Sequence, residues 1–166
     1  MQNIVLIGMP GCGKTTIGKE LSKALNFDFF DCDAVLEEAE NTTIPKIFES
    51  FGEDYFRQIE TKTLSSFVAK QNAVISTGGG VVERKENLDI LKNIGIVIFI
   101  NRPLENILSD VDTSHRPLLK DGTDRLVKLY NRRIDLYKAA CDIEIENSAD
   151  IASVVSKIID EVKKNG

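Results

Sequence analysis

A chain of 166 residues, 42% hydrophobic and 28% charged, has the composition of one globular domain that buries a core without disulfides or metal staples. Its net charge of −5 argues against a nucleic-acid-binding surface, so no nucleic-acid partner is expected. The apolar runs are too short to cross a bilayer, and a predicted strand from residue 3 leaves no room for a signal peptide.

Cysteine usage points to a reducing compartment. Cys12, Cys32 and Cys141 form no C-x-x-C pair, and their odd number fits reduced thiols better than a disulfide framework. We therefore expect a cytoplasmic protein with no membrane partner. Because the sequence suggests no large exposed apolar face, we also expect a monomer.

The predicted elements alternate between strands and helices along the whole chain. Strand patterns cover 3–7, 28–31, 73–76, 95–100 and 142–145. Helical patterns cover about 14–25, 34–40, 44–50, 53–70, 85–93, 103–110, 123–139 and 150–163. The segment 95–100 is apolar on both faces, as a central parallel strand is. The alternation predicts an α/β fold with helices on both faces of a parallel sheet, and ligands beyond the carboxyl ends of its strands.

The stretch Gly8–Thr15 reads Gly-Met-Pro-Gly-Cys-Gly-Lys-Thr and matches the phosphate-binding loop G-x-x-x-x-G-K-[ST] at every fixed position. A predicted strand precedes it and a predicted helix follows, which is the context that this motif requires. The alternative is that these glycines only form an ordinary turn. That alternative explains neither the Lys14-Thr15 pair nor the strand before the motif and the helix after it. The sequence therefore predicts a nucleoside triphosphate site.

Each residue of this loop has an expected role. Gly11 and Gly13 let backbone N–H groups turn toward the phosphates, and the following helix points its positive dipole end at them. Lys14 is expected to reach the β- and γ-phosphates, and the Thr15 hydroxyl to ligate Mg²⁺. The neighbouring Cys12 and Thr16 complete the nucleotide-binding set, and for Cys12 we expect small size to matter more than the thiol.

Two carboxylates follow the second predicted strand. Asp31 and Asp33 lie two positions apart, so on an extended segment both side chains share a face. Because two carboxylates at one site repel each other, we expect Mg²⁺ near Asp31 and a substrate hydroxyl on Asp33. The alternative is that one of them only N-caps the helix that starts near Ala34.

The third predicted strand ends in Gly78, Gly79 and Gly80. Consecutive glycines cost chain entropy, and they are explained where the backbone approaches a ligand closely and donates N–H groups. A flexible turn is the alternative.

Arginine is scarcer than lysine in this chain, seven residues against fourteen, so arginine positions are informative. Arg57, Arg116 and Arg133 are the candidates for a site, because a guanidinium fork grips a carboxylate or a transferring phosphate. For each arginine taken alone, a surface ion pair is the commoner explanation. That explanation is kept for Arg84, Arg102 and Arg125, and His115 is interpreted as a loop residue.

Six features, taken in order, resemble the shikimate kinase family: Gly8–Thr15, Asp31-x-Asp33, Phe56-Arg57-x-x-Glu60, Gly78-Gly79-Gly80, Arg116-Pro117-Leu118-Leu119 and Arg133-x-x-x-Tyr137. The resemblance spans essentially the whole chain. It implies the three-layer α/β/α fold of nucleoside monophosphate kinases with a five-stranded parallel sheet. It also implies a single domain over 1–166, with a substrate-binding segment at about 33–60 and a lid at about 111–121.

The activity that the resemblance implies is ATP-dependent phosphorylation of the 3-hydroxyl of shikimate, in the route to chorismate and aromatic amino acids. By position, Asp33 binds the reacting hydroxyl and acts as, or orients, the base. Arg57 and Arg133 clamp the shikimate carboxylate, and backbone around Gly79 donates to the substrate. The apolar wall of the pocket is formed by Phe48, Phe56 and Pro117.

For the nucleotide half, the resemblance makes Asp31 the carboxylate that holds Mg²⁺ through water, while Thr15 ligates the ion directly. Arg116 matches a lid arginine that closes on the ATP phosphates. Two segments depart from the family pattern, because relatives often have arginine near Ser109 and arginine with proline near 147–151. We therefore expect a modest ATP affinity.

Three other functions remain as alternatives. One is another small-molecule kinase of the same fold, such as a gluconate or nucleoside monophosphate kinase. Another is a GTP-binding switch, although Asn101–Leu104 lacks the lysine and aspartate of a guanine-reading Asn-Lys-x-Asp segment. The last is a non-catalytic ATP-binding module. The sequence does not support this alternative, because every expected catalytic position is occupied by the expected residue.

Overall fold

Parallel strands form the centre of the fold. The computed structural model describes residues 1–113 and 120–166, and within these it has five strands: β1 (Asn3–Ile7), β2 (Asp28–Asp31), β3 (Ala73–Ser76), β4 (Gly95–Asn101) and β5 (Ile143–Glu146). Their order across the sheet is β2-β3-β1-β4-β5, and all neighbouring pairs are parallel. The predicted five-stranded parallel sheet is confirmed, with each strand within one residue of its expected bounds.

The core sits on the central strands β1 and β4. Val5 pairs with Ile75 of β3 on one side and with Val97 of β4 on the other, and all three are fully buried. Strands covered on both faces need apolar residues at successive positions, and runs such as 4–7 and 96–100 have them.

Helices connect the strands: α1 (Lys14–Leu25), α2 (Cys32–Glu40), α3 (Ile44–Ser66), α4 (Lys85–Ile94), α5 (Leu104–Thr113), α6 (Lys120–Ala140) and α7 (Ile151–Asn165). Short 3₁₀ turns lie at Phe67–Ala69 and Val81–Glu83. Helices α1 and α7 pack together against the sheet, while α4 and α6 contact β4. This is the three-layer arrangement that was expected. In the described part of the chain, none of the helices combines the length and apolarity needed to cross a bilayer.

Helix α3 joins two helices that the sequence predicts separately, at 44–50 and 53–70. At their junction Gly52 has φ 85° and ψ 176°, a conformation that L side chains rarely adopt. A Cβ there would meet no atom within 4 Å, so the backbone angle and not space accounts for this glycine. The α-helix ends at Ser66, earlier than predicted, and a 3₁₀ turn completes the segment.

Candidate functional site

The phosphate-binding loop lies between β1 and α1, with the backbone conformation that its glycines predict. Gly11 and Gly13 have φ 79° and 97°, in the left-handed region that favours glycine. Gly13 is the N-cap of α1 and has no side chain to occupy the first N–H groups of the helix. Those N–H groups and the helix dipole make this turn suited to binding an anion.

Lys14 lies over this loop and is 8% exposed. Its ammonium donates to the carbonyl oxygens of Gly8 at 2.7 Å and Met9 at 3.0 Å, and it lies 3.6 Å from the Cys12 sulfur. A phosphate oxygen would therefore compete with two backbone carbonyls for the same ammonium. Cys12 is buried beside it, and its sulfur would lie 2.8 Å from a Cβ placed at Gly8, so the thiol fills a tight space.

The two carboxylates after β2 have different local roles. Helix α2 begins at Cys32, earlier than predicted, and Asp31 is its N-cap: one carboxylate oxygen accepts from the N–H groups of Asp33 at 3.0 Å and Ala34 at 3.2 Å. The expectation that both carboxylates share a face of an extended segment is wrong, because the free N–H groups of a helix end draw Asp31 into the cap and place Asp33 in the first turn. Capping thus applies to Asp31 and leaves Asp33 available.

A cavity of about 340 Å³ at the carboxyl ends of the strands brings part of the predicted site together, but Cys12, Arg57, Gly80 and Arg133 do not line it. Its walls come from the loop residues 10–11 and 13–16, from Asp31 and Asp33, and from the segment 76–79 that follows β3. The Thr15 hydroxyl donates to the Asp31 carboxylate at 3.4 Å. A larger cavity of about 1020 Å³ lies around the chain termini and contains none of the predicted site residues.

Asp33 is a carboxyl in an environment that disfavours its charge. Burial raises its pKa, and the neighbouring Asp31 raises it further, while Lys14 acts in the opposite direction. A raised pKa makes a carboxylate a better proton acceptor at neutral pH. Asp33 also lines the cavity next to the phosphate loop, where a reacting hydroxyl could reach it.

Close packing explains the three glycines after β3. A Cβ at Gly78 would lie 3.0 Å from carboxylate oxygens of both Asp33 and Glu60, and one at Gly79 would lie 2.8 Å from Pro10. At Gly80 a Cβ would overlap the guanidinium of Arg57. None of these glycines has a positive φ, so their close neighbours, and not the backbone angle, account for them.

Arg57 and Arg133 converge on one buried carboxylate, that of Glu83. Arg133 donates to Glu83 Oε2 at 3.1 Å, and Arg57 Nη2 lies 3.8 Å from the same oxygen. Arg57 also donates to Glu60 at 3.0 Å, and burial raises the pKa of Glu60 while Arg57 opposes that rise. Arg133 is 7% exposed, and its Nε has no hydrogen-bond partner among the described residues.

Phe48 and Phe56, predicted to wall the pocket, contact each other with tilted rings whose centroids lie 4.8 Å apart. Phe56 is buried with Leu36 and Ile47 in a small cluster separate from the main core, and Arg57 lies over its ring at 5.2 Å. Arg116, Pro117 and His115 lie outside the described residues.

A second cavity, of about 280 Å³, lies beside the loop and includes Gly13, Thr16, Arg102 and Asn147. Arg102 forms the expected ion pair, with Asp110 at 2.6 Å, but it also donates to the Gly11 carbonyl at 2.9 Å. Asn147 donates to the Cys12 carbonyl at 2.8 Å. Of the two segments that depart from the family pattern, 147–151 lines this cavity, and the segment around Ser109 is linked to it by the ion pair of Asp110 with Arg102.

The ion pair predicted for Arg84 is present, with Glu86. Arg125 is exposed, and no ion pair is seen for it within residues 1–110 and 122–166. Glu83, Arg102 and Asn147 contact residues of the candidate site, and the sequence patterns did not assign them to it. The position of Glu83, three residues after Gly80, is only a weak sign of a role in the site. Its importance becomes visible when α6 packs and brings Arg133 next to it.

The model of the family described as shikimate kinase matches residues 10–163 of this chain. The chain belongs to the shikimate kinase family. The shikimate kinase of Clostridium botulinum strain Eklund 17B, type B, is 51% identical over 155 residues, covering 93% of this chain and 93% of that protein.

Solved structures agree with this family membership. Shikimate kinase from Acinetobacter baumannii, in complex with shikimate, has a TM-score of 0.90 and 34% identity, covering 99% of this chain and 94% of that one. Shikimate kinase from Aquifex aeolicus has a TM-score of 0.87 and 38% identity, with 99% and 98% covered. The family match includes every element of the site described above from Lys14 to Arg133.

Proposed function

We propose that this chain phosphorylates the 3-hydroxyl of shikimate with ATP and Mg²⁺, giving shikimate 3-phosphate and ADP in chorismate and aromatic amino acid biosynthesis. Membership of the shikimate kinase family supports this function. The observation that supports it most is a cavity lined by the phosphate loop and the half-buried Asp33, with Arg57 and Arg133 close to the glycines that follow β3. The similar Acinetobacter baumannii structure is a complex with shikimate.

The phosphate loop is proposed to bind the nucleotide. Backbone N–H groups of Gly11–Thr16 cradle the triphosphate, and Lys14 exchanges the Gly8 and Met9 carbonyls for phosphate oxygens. Positive charge then lies where the transferring phosphoryl group becomes more negative. Cys12 contributes to this turn through its backbone and its fit beneath Lys14.

Thr15 and Asp31 fit a magnesium site. Their oxygens lie 3.4 Å apart at the edge of the cavity, and both are the hard oxygen donors that Mg²⁺ prefers. Mg²⁺ usually binds through one or two protein oxygens together with substrate phosphates and water. Bound Mg²⁺ would neutralise phosphate charge during transfer.

The acceptor side is proposed to bind a small hydroxy acid. Arg57 and Arg133 hold its carboxylate, and the backbone of Gly78, Gly79 and Gly80 lines its path to the loop. Asp33 then receives or orients the proton of the reacting hydroxyl. Because phosphoryl transfer demands mainly position and charge neutralisation, one oriented carboxylate is sufficient for this role.

The remaining assignments are proposals from the family pattern. We propose a single domain with a substrate-binding segment at about 33–60, which includes the packed helices α2 and α3, and a lid at about 111–121. Arg116 in the lid would add a cation at the ATP phosphates, and closure would exclude water. A cytoplasmic location and a monomeric state are part of the same proposal.

The test is ADP release from ATP and Mg²⁺ with shikimate, gluconate and AMP offered in parallel. Turnover that depends on shikimate alone is expected, because the chain belongs to the shikimate kinase family and because two arginines and one aspartate match a hydroxy acid better than they match AMP. Turnover only with AMP would reject the role given to Arg57 and Arg133, and turnover only with gluconate would reject shikimate as the acceptor. Competition by GTP equal to that by ATP would favour the switch alternative.

A further inference from the structure

We propose that Glu83 is a positioning residue for substrate binding, which holds the guanidinium groups of Arg57 and Arg133 side by side so that one shikimate carboxylate binds both. This inference rests on the proposed function and deepens it. Neither the family motifs nor the sequence patterns include Glu83.

The first support is the geometry around the carboxylate. One oxygen, Oε2, accepts from Arg133 Nη2 at 3.1 Å and lies 3.8 Å from Arg57 Nη2. The other oxygen, Oε1, lies 2.7 Å from Arg132 Nε, in a direction that makes no hydrogen bond. Three guanidinium groups therefore surround a side chain that is 10% exposed.

The second support is the rigidity of the segment that carries Glu83. It is the last residue of the 3₁₀ turn Val81–Glu83, and its N–H donates to the Gly80 carbonyl at 3.1 Å. Val81 is fully buried, and its carbonyl accepts from the buried Asn87 side chain at 2.9 Å. A carboxylate on so well anchored a turn can fix the longer arginine side chains that reach it.

The third support is a donor of Arg133 that remains unpaired when Glu83 holds this arginine. Arg133 uses Nη2 for Glu83, while Nη1 lies beside Gly79, 3.2 Å from where a Cβ would be. Its buried Nε has no hydrogen-bond partner among the described residues. The arginine thus pairs with Glu83 at Nη2 and interacts with the Tyr137 hydroxyl, while its buried Nε remains a donor that a carboxylate ligand would complete.

Charge balance agrees with this role. The guanidinium groups of Arg57 and Arg133 face two carboxylates, those of Glu60 and Glu83, so the four side chains balance in charge. Arg132 adds a cation at Glu83 from a side chain that is 69% exposed. Without Glu83, the like charges of Arg57 and Arg133 would separate the two side chains.

The experiment compares Glu83→Gln with the wild-type protein in steady-state kinetics. Because Gln keeps the size but cannot hold two cations, the KM for shikimate should rise about tenfold or more, as expected when one partner of a buried charge pair is removed. The KM for ATP should change little, and Glu83→Asp should recover part of the loss. Glu86→Gln, which removes an exposed carboxylate paired with Arg84, is the matched control and should leave both KM values unchanged.

A second measurement separates positioning from general loosening of the structure. Shikimate methyl ester lacks the negative carboxylate, so Glu83→Gln should change its affinity far less than it changes that of shikimate. An unchanged or lower KM for shikimate in Glu83→Gln would overturn the proposal, since a competing carboxylate would give that result. Equal losses for acid and ester would also overturn it. Failure of the proposed function would instead be seen in the wild-type protein, as no turnover that depends on shikimate.

Discussion

The hydroxyl of Tyr137 donates a hydrogen bond of 2.5 Å to the carbonyl oxygen of Gly79. Tyr137 is fully buried and stacks on Phe99 of β4 at 5.1 Å between centroids. Through this contact, α6 fixes the backbone that follows β3, at the point where Arg133 reaches the same glycine. The last residue of the Arg133-x-x-x-Tyr137 motif therefore holds the proposed substrate-binding backbone in place.

Tyr137→Phe is expected to weaken both folding and shikimate binding. The ring still packs on Phe99, but the Gly79 carbonyl loses its donor, which costs about 1–3 kcal/mol of unfolding free energy for a buried acceptor. Chemical denaturation and the KM for shikimate measure the two effects. Tyr130→Phe, a half-buried tyrosine on the same helix, is the control. Equal stability of the two variants would contradict the role of the hydroxyl.

Asp33→Asn is expected to remove most turnover while keeping part of the shikimate binding. The amide retains the size of the side chain but loses the charge that accepts or orients the hydroxyl proton, so kcat should fall about 100-fold or more. Single-turnover kinetics and shikimate titration check this. Near-normal turnover would reject Asp33 as the proton-handling group.

The titration of Asp33 in the free protein should have a midpoint above the ordinary value of 3.8, because burial and Asp31 raise its pKa. Carboxyl-carbon NMR measures it, with the resonance identified by its absence in Asp33→Asn. The raised pKa means that the native state binds this proton more readily than the unfolded chain. Its contribution therefore favours folding below the ordinary pKa and is lost as the pH rises through the raised one. A midpoint at or below 3.8 would contradict this environment.

Arg133→Lys should chiefly weaken shikimate capture. A lysine ammonium cannot both pair with Glu83 and present a second nitrogen to the substrate, so the KM for shikimate should rise about tenfold or more with a smaller change in kcat. Steady-state kinetics at saturating ATP measure the split. Unchanged affinity for shikimate would show that Arg133 does not bind the carboxylate.

Arg102→Ala should weaken nucleotide binding without changing shikimate binding. The guanidinium lines the cavity beside the loop and holds the Gly11 carbonyl, so its loss should raise the KM for ATP about fivefold to tenfold. Arg84→Ala removes an arginine of another ion pair and is the control. If both variants keep the wild-type KM for ATP, Arg102 serves only its ion pair with Asp110.

Local signals were sufficient for much of this molecule. The phosphate loop is contiguous, so its glycines, Lys14 and Thr15 are read directly from spacing, and the strands follow from short apolar runs such as 4–7. The division of α3 at Gly52 was predicted for the same reason, since a break in helical pattern is a local property. The start of α2 at Cys32 was not predicted. Asp31 is the N-cap of this helix, so the helix begins two residues before the expected position near Ala34.

What the sequence by itself determined is therefore the fold class, the phosphate loop and the family. Tertiary structure decided which charged groups meet. Arg57, Glu83 and Arg133 come from α3, a turn after β3 and α6, and their contacts exist only when these elements pack. Arg102 likewise reaches Gly11 across 91 positions of the chain. Charge pairing acts through distances of a few ångströms, which sequence separation does not reveal, whereas helix, strand and loop patterns act between neighbours along the chain.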